Sequence, residues 1–275
     1  MFKLSASDEP KITFEDIKGA LSTQSRVVNA LMLRETKTRY GQHKIGFLWA
    51  LLEPLIMVAI FVGIFSAIRS DNPSGMPLVQ FMLTGIVPFT LFRDTMNQMQ
   101  GGINQNRQLF AFPQVTTFDV IIARGLLEVL LLSGVFLLLL VGVHLAGWSI
   151  SVERPLEVLA ACALLAVLGL GVGFIFASLN PIWPSMRQIS AAFLGRPLFL
   201  SSGLFFTADS VPTVAREYLL YNPIMHILEL LRGAFFVEFE TAHGSWSYAA
   251  TWSLCTLAIG LLIHQAMRKR AIVGL

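Results

Sequence analysis

The chain has 275 residues, 55% of them hydrophobic and only 13% charged, with a mean hydropathy of +0.66; soluble domains carry about 25% charged residues, so an ordinary cytosolic globule is excluded and an integral membrane protein is expected. The net charge of +3 comes from basic residues gathered beside apolar runs, which reports topology and contact with anionic lipid heads rather than nucleic-acid binding. Both cysteines, Cys162 and Cys255, lie within apolar runs and read as small packing residues, not as a disulfide framework.

Residues 1–45 form a cytoplasmic N-terminal segment on this reading. Thr13-Phe14-Glu15-Asp16 has the form of a helix N-cap with an acid three residues on, and Phe14, Ile17, Leu21, Val28 and Leu31 fall near one face opposite Glu15, Lys18 and Arg26. So short a segment builds no core of its own, and an amphipathic helix lying in the membrane interface is expected. Arg34, Lys37, Arg39 and Lys44 then stand immediately before Ile45, and Phe47 to Ile68 stays apolar apart from Glu53 and Ser66. That run is long enough for a hydrocarbon core of roughly 30 Å. The positive-inside rule puts the N-terminus in the cytoplasm, and the late start and length of the run argue against a cleaved signal peptide.

Residues 46–275 read as one transmembrane domain with about six spans, at 46–68, 78–99, 119–146, 155–178, 188–207 and 247–267. An even count returns the C-terminus to the cytoplasm, where Arg268-Lys269-Arg270 again obeys the rule. The loop from Gly101 to Phe118 is cytoplasmic on this count and can form a short helix closed by Pro113, a place for a soluble partner to grip. From Ala208 to Phe236, two apolar stretches too short to span are separated by Asn222-Pro223 and carry Arg216, Glu217, Glu229 and Arg232. Either they dip into the outer leaflet and return, or they lie on the surface as amphipathic helices.

No catalytic motif is visible. A G-x-x-x-x-G-K-S/T loop for nucleotide phosphates is missing, and His43, His144, His226, His243 and His264 are scattered without metal-ligand spacing. Gly169-Leu170-Gly171-Val172-Gly173 lies inside an apolar helix and signals close helix packing. Ionisable residues within spans cost roughly 2.5 to 3.5 kcal/mol at a central position and are candidates for function. Arg196, before Pro197, is the deepest: it either faces a transport path or snorkels to the interface or neutralises an acid such as Glu128. Arg93 and Asp94 sit near the end of the second span, where snorkelling is favoured. Arg124 and Glu128 are spaced to pair with each other, and Glu53-Pro54 marks an irregularity within the first span.

Leu33 to Pro54, LRETKTRYGQHKIGFLWALLEP, resembles the signature at the first membrane helix of the permease subunit of capsular polysaccharide ABC exporters of the ABC-2 type. Gly85 to Phe89, Ile121 to Glu128 and Tyr221 to Leu230 are similar to the same family, in the same order, so the resemblance covers nearly the whole chain. It implies an all-α integral membrane protein with about six transmembrane helices, an N-terminal amphipathic interface helix and short re-entrant helices at about 208–236 that cap the outer side. It also implies a homodimer driven by two separate ATPase subunits that bind ATP and Mg, this chain being no enzyme by itself and holding no cofactor or metal. A lipid-linked acidic polysaccharide would pass from the cytoplasm across the bacterial inner membrane, toward a periplasmic adaptor and an outer-membrane pore. The resemblance suggests Arg34, Arg39, Tyr40, Lys44, Phe47, Trp49, Glu53, Phe89, Phe92, Arg93, Trp183 and Arg196 for the cargo's conduit and its mouth. Asn104, Asn106, Arg107, Gln108, Leu109 and Phe110 would couple to the ATPase, and Arg216, Tyr221, His226, Glu229 and Arg232 would form an outer gate. For each aromatic residue the rival reading is packing or the interfacial belt, and for the basic cluster it is contact with phospholipid heads. Rival functions are an ABC-2 permease for O-antigen or teichoic acid, an exporter of drugs or small lipids, and a membrane-embedded glycosyltransferase; the last would need convergent acids with a metal or a His-Asp pair, and none is visible.

Overall fold

The computed structural model describes residues 14–40, 45–68, 75–148, 152–237 and 239–273. Regular structure among the described residues is helical: α1 (Phe14–Tyr40), α2 (Ile45–Ile68), α3 (Leu78–Gln100), the single turn α4 (Gly102–Gln105), α5 (Thr117–Leu145), α6 (Pro155–Leu179), α7 (Met186–Ser190), α8 (Arg196–Ser201), α9 (Thr213–Leu219), α10 (Pro223–Phe235) and α11 (Trp246–Val273). Within them, Leu48–Ile68, Thr117–Leu145, Pro155–Leu179 and Trp246–Arg268 are long and apolar enough to cross a bilayer. A chain that must satisfy every backbone polar group without water does so through helices of this kind, and the chain is an all-α membrane protein.

Two groups of contacts fix how these helices run. At one end His264 of α11 meets Thr117 at the start of α5 (3.3 Å) and Ser178 at the end of α6 (3.0 Å), while Gln100 at the end of α3 bonds Ser190 of α7 (2.9 Å). Arg39 of α1 reaches Glu128 of α5 at this same end, hereafter the α1 end. At the far end Arg232 of α10 stacks on Phe81 near the start of α3, and Asn222 bonds Ser202, just past α8. The segments α2, α3, α5, α6, α7–α8 and α11 therefore run the height of the bundle, and α1 lies at the same end as the end of α11.

The second expected span, α3, is 23 residues long, about 35 Å at 1.5 Å per residue, yet it is more polar than its neighbours because it is the centre of the bundle. Gln80 to Phe92 is buried without a break, and Thr84 and Thr90 return their hydroxyls to the carbonyls of Gln80 and Ile86 on their own helix, so burial leaves no polar group unmet there. The Gly169-x-Gly171-x-Gly173 stripe of α6 works as close packing. A Cβ at Gly169 would lie 3.0 Å from the Phe92 carbonyl of α3, and one at Gly171 only 2.6 Å from the Leu257 backbone nitrogen of α11.

Two expectations change in detail, and the open choice for 208–236 narrows. The fifth span, expected as one helix over 188–207, is α7, a π-helical turn at Ala191–Gly195 and α8 in sequence, ending at Ser201; Pro197 in the first turn of α8 has no N–H to continue the ladder. The chain then turns at Gly203, whose φ of +74° suits glycine. Helix α10 is no surface helix, since Ile224 to Phe235 are all buried, whereas α9 buries nothing. On α1, Val28 and Glu35 are buried and Leu31 is half-buried, but Leu21 of the expected apolar face is 61% exposed, and the side chains of Phe14 and Ile17 lie outside the described residues.

Candidate functional site

The densest chemistry lies where α1 docks at the α1 end. Glu35, buried on α1, stands between two arginines: Arg39 Nε donates to its Oε1 at 3.1 Å, and Arg124 Nε of α5 lies 3.0 Å from the same oxygen. Arg39 Nη1 donates in turn to Glu128 Oε2 at 2.7 Å. Arg124 and Glu128, spaced to pair along α5, thus pair across to α1 instead: side chains four apart on a helix compete with any opposite charge a neighbouring helix supplies, and α1 supplies both signs. Burial by itself would lower the Arg39 guanidinium, but the hydrogen bonds and charges of Glu128 and Glu35 outweigh it and hold it above its ordinary value. The four charges sum to zero, which is the condition for burying them. The donors are not all met, since Arg39 Nη2, Arg124 Nε and Arg124 Nη1 are buried without an aligned acceptor among the described residues.

Further ties flank this cluster. Arg34 Nη1 donates to Asn106 Oδ1 at 2.9 Å, joining α1 to the turn after α4, and Gln24 donates to Asp119 at 3.2 Å. Asp119 also completes a capping box with Thr116 at the start of α5. Arg93 pairs with the adjacent Asp94 (2.7 Å) and lies 3.6 Å from Glu53 of α2. Trp49, Glu53, Asp94 and Glu128 line a cavity of about 150 Å³ between α2, α3 and α5.

The residues proposed for a conduit therefore separate. Arg39 is part of the charge cluster, Arg34 is tied separately to Asn106, Arg93 and Glu53 meet each other, and Trp49 and Trp183 are exposed. Phe89 and Phe92 are fully buried and pack within the core, Phe89 with its ring 5.5 Å from that of Phe199. Lys44 lies outside the described residues, as do the side chains of Tyr40 and Phe47. Arg196 is exposed on α8 and has no ion pair or hydrogen bond among the described residues; Ile189, Phe193 and Leu200 on the same face are exposed as well.

Of the loop residues proposed for coupling, Arg107 and Gln108 are exposed, Leu109 and Phe110 half-buried, and Asn106 buried; Asn104 turns its Oδ1 inward, buried and without a donor. At the far end, Arg232 is fully buried and donates to the carbonyls of Gly203 (2.7 Å), Leu204 (3.1 Å) and Phe206 (3.3 Å), with its guanidinium 3.8 Å above the Phe81 ring. Glu229 accepts from the Ala208 N–H and from Thr241 Oγ1. His226 meets the Leu220 carbonyl at 2.8 Å, and its ring lies 4.6 Å from that of Tyr248, tilted by 45°. Arg216 Nη1 and Asp209 Oδ1 each lie 3.1 Å from His243 Nε2, which serves one of them at a time, while Tyr221 is exposed and offers its carbonyl to Tyr248.

Glu35 and His264 escaped the sequence reading. Glu35 sits on a helix of mixed polarity where an acid looks solvated, and its only signal is the four-residue spacing to Arg39. His264 lies in an apolar run, with no partner near it in sequence.

No group of three or more metal-ligating side chains occurs among the described residues. Apolar helices long enough to cross a bilayer, with a neutral buried charge cluster at one end and the buried helix α10 at the other, make this an all-α membrane protein. Residues 26–236 match the ABC-2 type transporter family, and the chain belongs to that family. It is 35% identical over 252 residues to the polysialic acid transport protein KpsM of Escherichia coli, covering 92% of this chain and 97% of that protein. It is 31% identical over 254 residues to the capsule polysaccharide export inner-membrane protein BexB of Haemophilus influenzae, covering 92% and 95%. With the capsule polysaccharide export inner-membrane protein CtrC of Neisseria meningitidis serogroup A it shares 30% identity over 255 residues, covering 91% and 94%.

Proposed function

We propose that this chain is the membrane-spanning subunit of an ATP-driven exporter that moves a lipid-linked capsular polysaccharide outward across the bacterial inner membrane. The observation that carries the reading is the end-to-end likeness to KpsM, BexB and CtrC, whose names state capsule polysaccharide or polysialic acid export. The geometry supports it. The α1 end carries the excess of basic residues and would face the cytoplasm, so both α1 and the end of α11 lie inside. A separate ATPase would bind ATP and Mg, supply the power and dock on the exposed Arg107–Gln108 edge beside α4. The face of α7–α8 bearing Ile189, Phe193, Arg196 and Leu200 supports a homodimer, because an unpaired arginine turned to lipid is costly, whereas one turned to a path between two copies meets water or an acidic cargo. The α10 end would form the outer cap, toward an adaptor and an outer-membrane pore.

The test is a clean deletion complemented by the intact gene, with polysaccharide assayed at the surface and inside the cell. Loss of surface polymer with lipid-linked polymer accumulating in the cytoplasm is expected. Loss of polymer everywhere would point to synthesis, and normal surface polymer to a small lipid or drug as cargo.

A further inference from the structure

A pocket of about 380 Å³ opens at the α1 end between the last turn of α3, α4, the end of α6 and the start of α7. Its wall is built of amides, from Asn97, Gln100, Asn104, Gln105 and Asn180, with Arg187 beside them and no carboxylate. Part of this wall is fixed: Gln100 Nε2 donates to Ser190 Oγ at 2.9 Å, and Asn180 Nδ2 donates to the Gln100 carbonyl at 3.3 Å. The rest is unspent. Asn97, Gln105 and Arg187 are exposed with no side-chain partner among the described residues, and Asn104 Oδ1 is buried without a donor. Gly101 leaves room for the Gln105 amide, which a Cβ there would meet at 2.6 Å.

The composition selects an occupant. Without carboxylates the pocket is poor for a divalent cation, whose ligands are charged oxygens, and an apolar group would strand the amides at about 1–3 kcal/mol for each buried one left unmet. Each amide offers both an acceptor oxygen and an N–H donor pair, the pattern that a row of hydroxyls satisfies, and Arg187 adds a fork for a carboxylate or phosphate. We propose that this pocket binds a polyol bearing an anionic group, its hydroxyls on Asn97, Asn104 and Gln105 and its anion on Arg187. Two sources share that chemistry: an acidic sugar of the exported polymer, and the glycerol phosphate head of an anionic lipid. The first rests on the export reading, while binding itself does not.

The experiment uses the full chain in nanodiscs of phosphatidylcholine, titrated calorimetrically with a glucuronic-acid tetrasaccharide and, as a neutral control, maltotetraose. Saturable binding of the acidic sugar is expected, at least tenfold tighter than the neutral one and weakened tenfold or more by Arg187→Gln and by Asn104→Leu at unchanged melting temperature. Arg187 is exposed, so its variant keeps the test open if Asn104→Leu unfolds the protein. Repeating the titration with phosphatidylglycerol in the disc separates the sources: lost sugar binding makes the lipid head the resident, and unchanged binding makes it the cargo. No saturable binding in phosphatidylcholine, or binding indifferent to Arg187→Gln, overturns the proposal. Either result leaves the deletion assay free to decide export on its own.

Discussion

Glu35→Gln is the sharpest perturbation of the α1 end. Glu35, Arg39, Arg124 and Glu128 have side chains only 11%, 16%, 6% and 7% exposed, and two acids balance two bases. Without the Glu35 charge, Arg39 retains Glu128, but Arg124 is left with Gln98 at 3.3 Å and its charge is uncompensated. Breaking a buried pair costs about 3–5 kcal/mol. The low end applies, since Arg124 Nε is not aligned on Glu35 and a glutamine oxygen still accepts from Arg39. At about 3 kcal/mol the undocked state of α1 gains roughly a hundredfold, as 1.4 kcal/mol is tenfold. Hydrogen exchange over 27–39 in nanodiscs should speed up accordingly, while exchange in α10 stays unchanged. Glu35→Gln combined with Arg124→Met removes the orphaned charge and should restore most of the protection. Exchange within about twofold of wild type in the single variant, or no recovery in the double, would refute this account of docking.

Other outcomes follow from single contacts. Gly171→Val drives a side chain into the Leu257 and Thr256 backbone and should destabilise by about 3 kcal/mol or more, read as loss of monodisperse protein and a lower melting temperature; Gly134→Ala, with open space around it, is the neutral control. Arg232→Met keeps the volume but strands the carbonyls of Gly203, Leu204 and Phe206, at a cost of about 3 kcal/mol, and protease cleavage within 203–212 should rise with it. Arg196 has no partner among the described residues, so Arg196→Gln should leave the melting temperature unchanged while surface polysaccharide falls at least about tenfold, on the order of 1.4 kcal/mol in the transport barrier; unchanged export would remove Arg196 from the path.

The long helices were legible because length and hydropathy specify them without reference to neighbours, and the α6 glycines because a stripe of small residues inside an apolar helix has few other uses. Partnership was not. The spacing of Arg124 and Glu128 invites a local pair, and only the position of α1 shows that each is matched across to Glu35 or Arg39. The Thr116–Asp119 capping box is written in the sequence, but its tie to Gln24 is not. Nor does any local propensity mark the π turn at Ala191–Gly195. Gly195 and Pro197 hint at irregularity, and the bond from Ser190 to Gln100, ninety residues earlier, is part of what holds its position. Arg232 read as a possible gate because it is a cation near the membrane, whereas its three carbonyl acceptors belong to a turn whose course the sequence leaves open.

The two ends are built from different kinds of interaction, and this bears on where movement can occur. At the far end Arg232 and Glu229 are met chiefly by backbone groups of the segment 203–208, and releasing them means unfolding that turn. At the α1 end the ties are between side chains of separate segments: Arg34 with Asn106, Arg39 with Glu128, Gln100 with Ser190. Such pairs exchange partners without breaking any helix, and the buried donors of Arg39 and Arg124 that lack acceptors lower the cost of rearrangement further. From α4 the contacts lead through Asn106 to Arg34 of α1. From the end of α3 they lead through Gln100 to Ser190 and the π turn before Arg196, where a helix departs from its regular ladder. The end that holds α1 and α4 is therefore the more compliant of the two, and the far end the more rigid.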